Sequence, residues 1–183
     1  MKRFLVLFFI SIFSISYAQA ELLVEPVIGY NIGSKFDFEN GKAYSGGTGA
    51  AFGGRLGYQK LGFQVGLDYL HSSIDMDDKD FDKNVSMNEW AGFVGFEFPI
   101  LLRVYGGYIF SASGETKSNN VDVDLKSGSG FKAGLGFTLL PFLDINFEYR
   151  KGTFGEWKAG NTKFDTNVDY NSYMIGLSLP FTI

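Results

Sequence analysis

The chain has 183 residues, a formal net charge of −4 at neutral pH and no cysteine. This length suits one domain, and the acidic balance argues against nucleic acid as a partner. Without cysteine, the sequence excludes disulfides, thiol catalysis, thiolate metal sites and a lipid-modified cysteine.

The first twenty residues predict a secretory signal peptide. Lys2 and Arg3 form the basic start, residues 4–15 the apolar core, and Ala18-Gln19-Ala20 a small-x-small cleavage site. The alternative is an N-terminal membrane anchor, but an apolar run of about twelve residues is shorter than the roughly 20 that a spanning helix needs. We therefore expect residues 1–20 to be removed and the exported domain to comprise residues 21–183.

From Glu21 onward, apolar and polar residues alternate, which is typical of strands with one apolar face. The clearest case is residues 143–150, which read Leu-Asp-Ile-Asn-Phe-Glu-Tyr-Arg. A tilted transmembrane strand needs about 9–11 residues. We predict eight strands of about this length, near 22–32, 49–59, 61–71, 87–98, 101–112, 130–140, 142–150 and 171–182.

The predicted connections are strongly asymmetric. Three are tight turns, at 59–61, 99–101 and 140–142. Four are long and polar, at 33–48, 72–86, 113–129 and 151–170. Short turns on the periplasmic side and long loops on the extracellular side are typical of outer-membrane barrels. The pattern predicts an all-β fold: an eight-stranded antiparallel up-and-down transmembrane β-barrel with four long extracellular loops.

A soluble lipocalin-like barrel has the same periodicity with its two faces exchanged. Glycine favours the membrane barrel, because a water-exposed strand gains nothing from the entropic cost of glycine, whereas a narrow interior gains space. Seven glycines lie in the polar phase: Gly57, Gly62, Gly66, Gly95, Gly107, Gly134 and Gly136.

The polar phase also carries six acids and four bases. Buried charges persist only when they are paired and hydrogen-bonded, so we predict an ion-pair network in the barrel interior, or lumen; a merely solvated polar face is the alternative. The predicted members are Glu25, Arg55, Asp68, Glu89, Glu97, Arg103, Lys132, Asp144, Glu148 and Arg150.

Aromatic residues near the strand ends fit the aromatic girdles of a membrane barrel, although aromatic residues also favour strands in general. They are Tyr30, Tyr58, Tyr69, Trp90, Phe98, Tyr108, Tyr149 and Tyr173. Pro26 conflicts with a closed barrel, because a missing N–H weakens the ladder. We expect the first strand to begin near Val27 or to carry a bulge at Pro26.

Over residues 21–183 the sequence resembles the small outer-membrane barrel families typified by OmpA-type transmembrane domains and OmpX-like proteins. The closing strand resembles their C-terminal assembly signal, with Ile183 in place of the usual final aromatic residue, so that Phe181 would serve instead. The resemblance implies a bacterial outer-membrane location and contact with lipid, lipopolysaccharide and the barrel assembly machinery. We expect a monomer without cofactors.

The loop at 72–86 contains an acidic series with the spacing of a calcium loop. Asp78, Asp80, Asp82, Asn84, Ser86 and Glu89 occupy positions 1, 3, 5, 7, 9 and 12 of that template. Lys83 replaces the expected glycine at position 6, and no helices are predicted beside it. We favour a solvated acidic loop; a looser alternative is that Asp75 to Asp82 share divalent cations with lipopolysaccharide phosphates.

The sole histidine, His71, forms a His-x-Ser sequence with Ser73. A serine, a histidine and a nearby acid could perform acyl hydrolysis, and outer-membrane lipid A deacylases contain a comparable sequence. Glu89, the nearest acid, lies in the opposite phase, so we favour an interfacial role for His71 and expect no enzyme.

The favoured function is a structural or surface-interaction role in adhesion, recognition or envelope integrity, through extracellular loops that would bind a surface ligand. Eight strands leave an interior just filled by side chains, which argues against a general porin. The alternative is a narrow or gated pore for ions or small solutes. A lipid A-modifying hydrolase and a periplasmic lipocalin-like carrier are less favoured.

Overall fold

The computed structural model describes residues 20–38, 43–76, 84–118, 121–160, 162–165 and 167–183. The strands are β1 (Glu21–Phe38), β2 (Ala43–Lys60), β3 (Phe63–Asp75), β4 (Asn84–Phe98), β5 (Leu102–Ser118), β6 (Val121–Leu140), β7 (Leu143–Ala159), β8 (Thr162–Phe164), β9 (Val168–Ser178) and β10 (Phe181–Thr182). Within these residues no helix is long and apolar enough to cross a membrane. The predicted signal peptide lies almost wholly outside them.

The strands form one closed antiparallel sheet. Each strand from β1 to β7 pairs with the next one along the chain, and β9 then pairs with both β7 and β1. β10 continues the line of β9 along β1, while the short β8 pairs with the end of β7. In the described part of the chain, the barrel wall therefore has eight spanning strands in up-and-down order, which confirms the predicted fold class.

The two faces of the wall have opposite chemistry. Phe147 points outward and is 53% exposed, whereas the next residue, Glu148, points into the lumen and is 3% exposed. The predicted girdle residues lie on the outward face as well, among them Tyr30, Trp90 and Tyr108. An apolar outer belt around a polar interior is the arrangement of a membrane barrel, and it is the reverse of a lipocalin.

The strands continue through most of the four long connections, so the strands are longer than predicted and the loops between them are shorter. We call the strand residues beyond the predicted barrel the strand extension; it comprises residues 33–38, 43–48, 72–75, 84–86, 113–118, 121–129, 151–159 and 168–170. Their inward positions are mostly apolar, with Phe36, Ile74, Val85 and Phe154 all buried. The outward polar residues dominate the composition of these segments and hide this inward apolar series.

The first tight turn lies at residues 61–62, slightly further along the chain than the predicted turn at 59–61. Lys60 pairs with Phe63, so Leu61 and Gly62 form a two-residue hairpin turn. Both have positive φ, 53° and 83°, as a type I′ turn requires. Gly62 is therefore a turn glycine, and its assignment to the lumen is wrong.

The expectation for Pro26 is also wrong, because β1 begins at Glu21 and runs through Pro26 without a bulge there. The irregularity lies in the neighbouring strand, which is interrupted between β9 and β10 at Leu179 and Pro180. Leu179 N–H donates to the Pro26 carbonyl at 3.1 Å. Pro26 thus faces the interruption, where no ladder bond needs its missing N–H.

We predict that Phe147→Arg lowers the free energy of unfolding by about 2–4 kcal/mol, because it places a charge in mid-bilayer lipid. Ser129→Arg is the matched control, since Ser129 lies in the strand extension of neighbouring β6, where an arginine costs about 0–1 kcal/mol. Urea unfolding in lipid bilayers, followed by heat-modifiable gel mobility, measures both. Equal losses for the two variants would contradict the assigned bilayer position.

Candidate functional site in the lumen and at its extracellular end

Arg55 of β2 lies at the centre of the lumen and contacts three carboxylates from three other strands. Its Nε donates to Asp68 Oδ2 at 2.8 Å, Nη1 to Glu25 Oε1 at 3.1 Å and Nη2 to Glu148 Oε2 at 2.9 Å. Asp68 faces Arg55 across the β2–β3 ladder, and Glu25 faces it across the β1–β2 ladder. Strand register therefore positions two of the three acids, and barrel closure brings in Glu148.

A second arginine, Arg103, connects Glu25 to the periplasmic half of the lumen. Arg103 of β5 donates through Nη1 to Glu25 Oε2 at 2.8 Å and through Nη2 to Glu25 Oε1 at 2.6 Å. This is the bidentate geometry that gives arginine–carboxylate pairs their specificity. Arg103 also reaches Asn146 Oδ1 at 2.9 Å and Asp144 Oδ2 at 3.3 Å. Its guanidinium therefore links β5 to β1 and β7 across the barrel.

Arg150 and Lys132 continue the network toward the extracellular side. Arg150 Nε donates to Glu148 Oε1 at 2.6 Å, and Nη1 donates to Glu89 Oε2 at 3.2 Å. Lys132 contacts Asp68 and lies 3.7 Å from Glu148 Oε2. All these groups are buried, so each carboxylate is held by at least one cation inside the wall.

Nine of the ten residues predicted for this network are buried in it. Glu97 is the exception: it is half-buried near the periplasmic end, where Gln59 Nε2 donates to its Oε2 at 3.2 Å. It makes no ion pair with any described residue. Its predicted ion pair is therefore absent from the described residues: Arg103 faces Glu97 across the β4–β5 ladder, but its guanidinium binds Glu25 and Asn146 instead.

Sequence reasoning missed the neutral members of the network. Tyr105 is the main one: the guanidinium carbon of Arg55 lies 4.2 Å from its ring centroid and that of Arg103 5.4 Å. Tyr170 donates its O–H to Glu89. The inward phase shared by Arg103 and Tyr105 was the available signal, but only charged residues of that phase were included in the predicted network.

Glycines provide the space for these large side chains. A Cβ at Gly136 would lie 3.0 Å from both Arg103 Nε and Asn146 Oδ1. A Cβ at Gly134 would collide with the ring of Tyr105. At Gly134 and Gly136, glycine therefore provides space in the lumen as predicted, because a larger residue would displace Tyr105 or Arg103.

An apolar cluster fills the lumen on the extracellular side of the charges. Phe154 packs on Tyr170 with ring centroids 5.0 Å apart, and Tyr170 also contacts Glu89 of the ionic layer. The cavity left beside this cluster measures about 10 Å³, no more than about one water molecule can occupy. The buried members are Phe36, Ile74, Met76, Val85, Met87, Ala91, Ile109, Ala112, Leu125, Phe154, Val168 and Tyr170.

Half of the calcium-loop template falls outside the described residues, which include neither Asp78, Asp80 nor Asp82. Asn84 is described, and its Nδ2 donates to Ser73 Oγ at 2.9 Å and to Asp75 Oδ1 at 3.2 Å. Glu89 points into the lumen toward Arg150, as predicted for the ion-pair network, and therefore does not face the loop as a twelfth ligand would. No group of three metal-binding side chains occurs in the part of the chain that the structure describes.

His71 and Ser73 point outward near the extracellular end of β3 but do not contact each other. His71 Nδ1 donates to Asn88 Oδ1 at 2.9 Å, and its ring lies 4.8 Å from that of Phe52. Ser73 instead exchanges hydrogen bonds with Asn84. Glu89, the acid considered for this pair, lies on the other side of the wall, so these residues do not form a hydrolytic triad.

The sequence matches a family profile described as an outer membrane protein beta-barrel domain over residues 5–181. The chain belongs to this family. Its location is accordingly the bacterial outer membrane, and the short turns face the periplasm. The predicted resemblance and location are both confirmed, and the strand extension projects on the extracellular side.

Two solved structures show the same fold. Ail, the attachment invasion locus protein of Yersinia pestis, is 16% identical with a TM-score of 0.59, and the match covers 88% of this chain and 99% of that one. Neisserial surface protein A is 16% identical with a TM-score of 0.57, covering 87% of this chain and 97% of that one. No curated protein matches the sequence.

We predict that Arg55→Met lowers the free energy of unfolding by about 3 kcal/mol. Removing one partner of a buried ion pair costs about 3–5 kcal/mol, and we expect the lower value because Glu25, Asp68 and Glu148 each keep another cation. Lys126→Met is the control, since its 3.6 Å pair with Asp124 is exposed and worth about 0–1 kcal/mol. Equal denaturation midpoints and slopes for the two variants in detergent would contradict the role of Arg55.

Proposed function

We propose that this outer-membrane barrel is a surface-interaction protein, acting in adhesion, recognition or envelope integrity, with neither a conducting pore nor an enzymatic activity. The observation that carries the proposal is the strand extension filled by the apolar cluster. Interior packing makes the extension a continuation of the barrel, in which side chains hold the strands together. It therefore holds the extracellular tips at fixed positions above the membrane, as a display surface requires.

The extracellular rim offers the chemistry of a contact surface. We define the rim as residues 43–45, 156–158 and 162–164, at the ends of β2 and β7 and in β8. Trp157 stacks on Phe164 with ring centroids 4.1 Å apart, and Phe164 is 37% exposed. Lys163, beside it, is 51% exposed and pairs with Glu156 at 3.0 Å. Aromatic side chains flanked by charges are typical of the cores and rims of protein interfaces.

The names of the two solved relatives, a surface protein and an attachment invasion protein, agree with this proposal but describe those proteins. For the present chain the support comes from the packed extension and its rim. A hydrolase is not favoured, because His71 and Ser73 have separate hydrogen-bond partners.

The runner-up function, a narrow or gated pore, requires a continuous aqueous path. Two layers oppose one: the ion pairs around Arg55 and the apolar cluster around Phe154. A gate would have to separate both layers in the same opening event. Since the charges would lose partners and the cluster would be wetted, such an opening is costly.

We therefore predict that the refolded protein conducts no ions in planar lipid bilayers. The measurement is single-channel current at symmetrical salt, with a large trimeric porin as the positive control for insertion. Insertion of the present protein is verified separately by its heat-modifiable mobility after recovery from vesicles. Reproducible current steps from inserted protein would contradict the closed lumen and favour the pore.

We further predict that expressing the protein in a non-adherent bacterial host increases adherence to a layer of cultured epithelial cells. Trp157→Ser combined with Phe164→Ser should return adherence to the background, because it removes the aromatic stack at the rim. Phe142→Ser is the matched control, since Phe142 is exposed in the opposite, periplasmic turn. Adherence that is the same with and without the protein, or that Phe142→Ser lowers equally, would overturn the adhesion role.

A further inference from the structure

The outward face of the barrel carries a groove between strands β6, β7, β9 and β1. Its volume is about 330 Å³, within the roughly 300–1,000 Å³ of small-ligand pockets. The groove exists at Ala133 because the outward neighbours of this small residue on β6, Phe131 and Leu135, are much larger. The outward residues that line the groove are Ile32, Ala133, Leu135, Phe147, Tyr149 and Tyr173.

A row of cationic and amide side chains lies at the extracellular end of this groove. Lys35 on β1 and Lys151 on β7 both pair in register with Asn171 on β9. All three alternate with buried inward neighbours and therefore point outward. Adjacent strands are about 4.8 Å apart, so the two lysine backbones are roughly 10 Å apart with Asn171 between them.

Tyrosines connect the row to the groove. Tyr149 and Tyr173 form the next outward row toward the membrane, two residues from Lys151 and Asn171, and their ring centroids are 5.0 Å apart. Tyrosine is typical of the level at which lipid headgroups meet acyl chains. The lysine row therefore lies at headgroup height, directly above an apolar groove at acyl-chain height.

The charges of the row are available to an anion. Lys151 makes no ion pair with any residue that the structure describes. Lys35 Nζ lies 2.8 Å from Asp37 Oδ2, which occupies one of the three donors of its ammonium group. The acids Asp37 and Asp169 lie one outward row farther from the membrane, so an anion approaching from the lipid side meets the lysines first.

We propose that this face binds the lipid A part of lipopolysaccharide, with a phosphate held between Lys35 and Lys151 and an acyl chain in the groove. The Asn171 amide would donate to the same phosphate. Two features of the site select this occupant: the groove is open to the lipid, and its cationic end lies on the extracellular side. The outer leaflet of this membrane is built from lipopolysaccharide, whose lipid A carries phosphates directly above its acyl chains.

The first test measures binding of purified diphosphorylated lipid A to the full refolded protein in a non-ionic detergent. The variant Lys35→Gln combined with Lys151→Gln should raise the dissociation constant about tenfold or more, since each charge-assisted hydrogen bond contributes about 1.5–3 kcal/mol. Lys126→Gln is the matched control, because Lys126 also pairs with an aspartate two residues away on its own strand. Unchanged affinity in the double variant, or an equal loss in Lys126→Gln, would overturn the proposal.

The groove is tested separately by Ala133→Phe, which fills it without changing the lumen. Ala50→Phe is the control, since Ala50 is exposed on the outer face of β2. Only the substitution at Ala133 should weaken lipid A binding. Heat-modifiable mobility of every variant verifies that the barrel folds, so that a loss of binding is assigned to the site. Equal affinity of the two phenylalanine variants would show that the groove is not the acyl-chain site.

Two further ligands distinguish the source of the phosphate. Dephosphorylated lipid A should bind the native protein about as weakly as diphosphorylated lipid A binds the double lysine variant. It should bind the native protein and that variant equally. Phosphatidylglycerol, which has one phosphate and two chains, should bind more weakly than lipid A. Equal or tighter binding of phosphatidylglycerol would overturn the assignment to lipid A and identify the face as a general site for anionic lipids.

Discussion

The structure depends on the need to neutralise charges inside a barrel too narrow for bulk water. Arg55 contacts three carboxylates from three strands, and Glu25 is shared between Arg55 and Arg103. A buried ion pair is weak evidence for stability, because desolvation offsets the attraction. The pairs instead fix the strand register, since a slip by one residue would turn every lumen charge toward lipid.

The lumen changes character along its axis, and this change separates the functions of the two halves. The periplasmic and central part is ionic, and the extracellular part is apolar around Phe154 and Ile74. Tyr170 joins the layers, because its ring packs on Phe154 while its hydroxyl binds Glu89. The membrane-embedded part is therefore filled by buried, paired charged side chains. The apolar part holds together the strand extension, whose outer face is mostly polar.

The outer surface is also divided, around the circumference of the barrel. The wall formed by β3 and β4 carries a neutral polar ladder in which His71 and Tyr69 share Asn88. The opposite wall carries Lys35 and Lys151 above the groove. Since lipopolysaccharide is anionic, the two walls present different chemistry to the same leaflet.

The sequence by itself determined the strand alternation, two of the three periplasmic turns, the location and the nine charged residues that are buried in the described part of the chain. It could do so for the charges because a period of two assigns each residue to a face independently of its partners. Only the tertiary structure decided which charges meet, since Arg55 and Glu148 are brought together by closure of the barrel rather than by spacing. It also decided that the polar segments near Ile74 and Phe154 are strands, because their inward apolar residues bury only against one another. The tertiary structure likewise decided that Pro26 can lie inside β1, because the strand beside it is interrupted between β9 and β10, more than 150 residues away in the sequence.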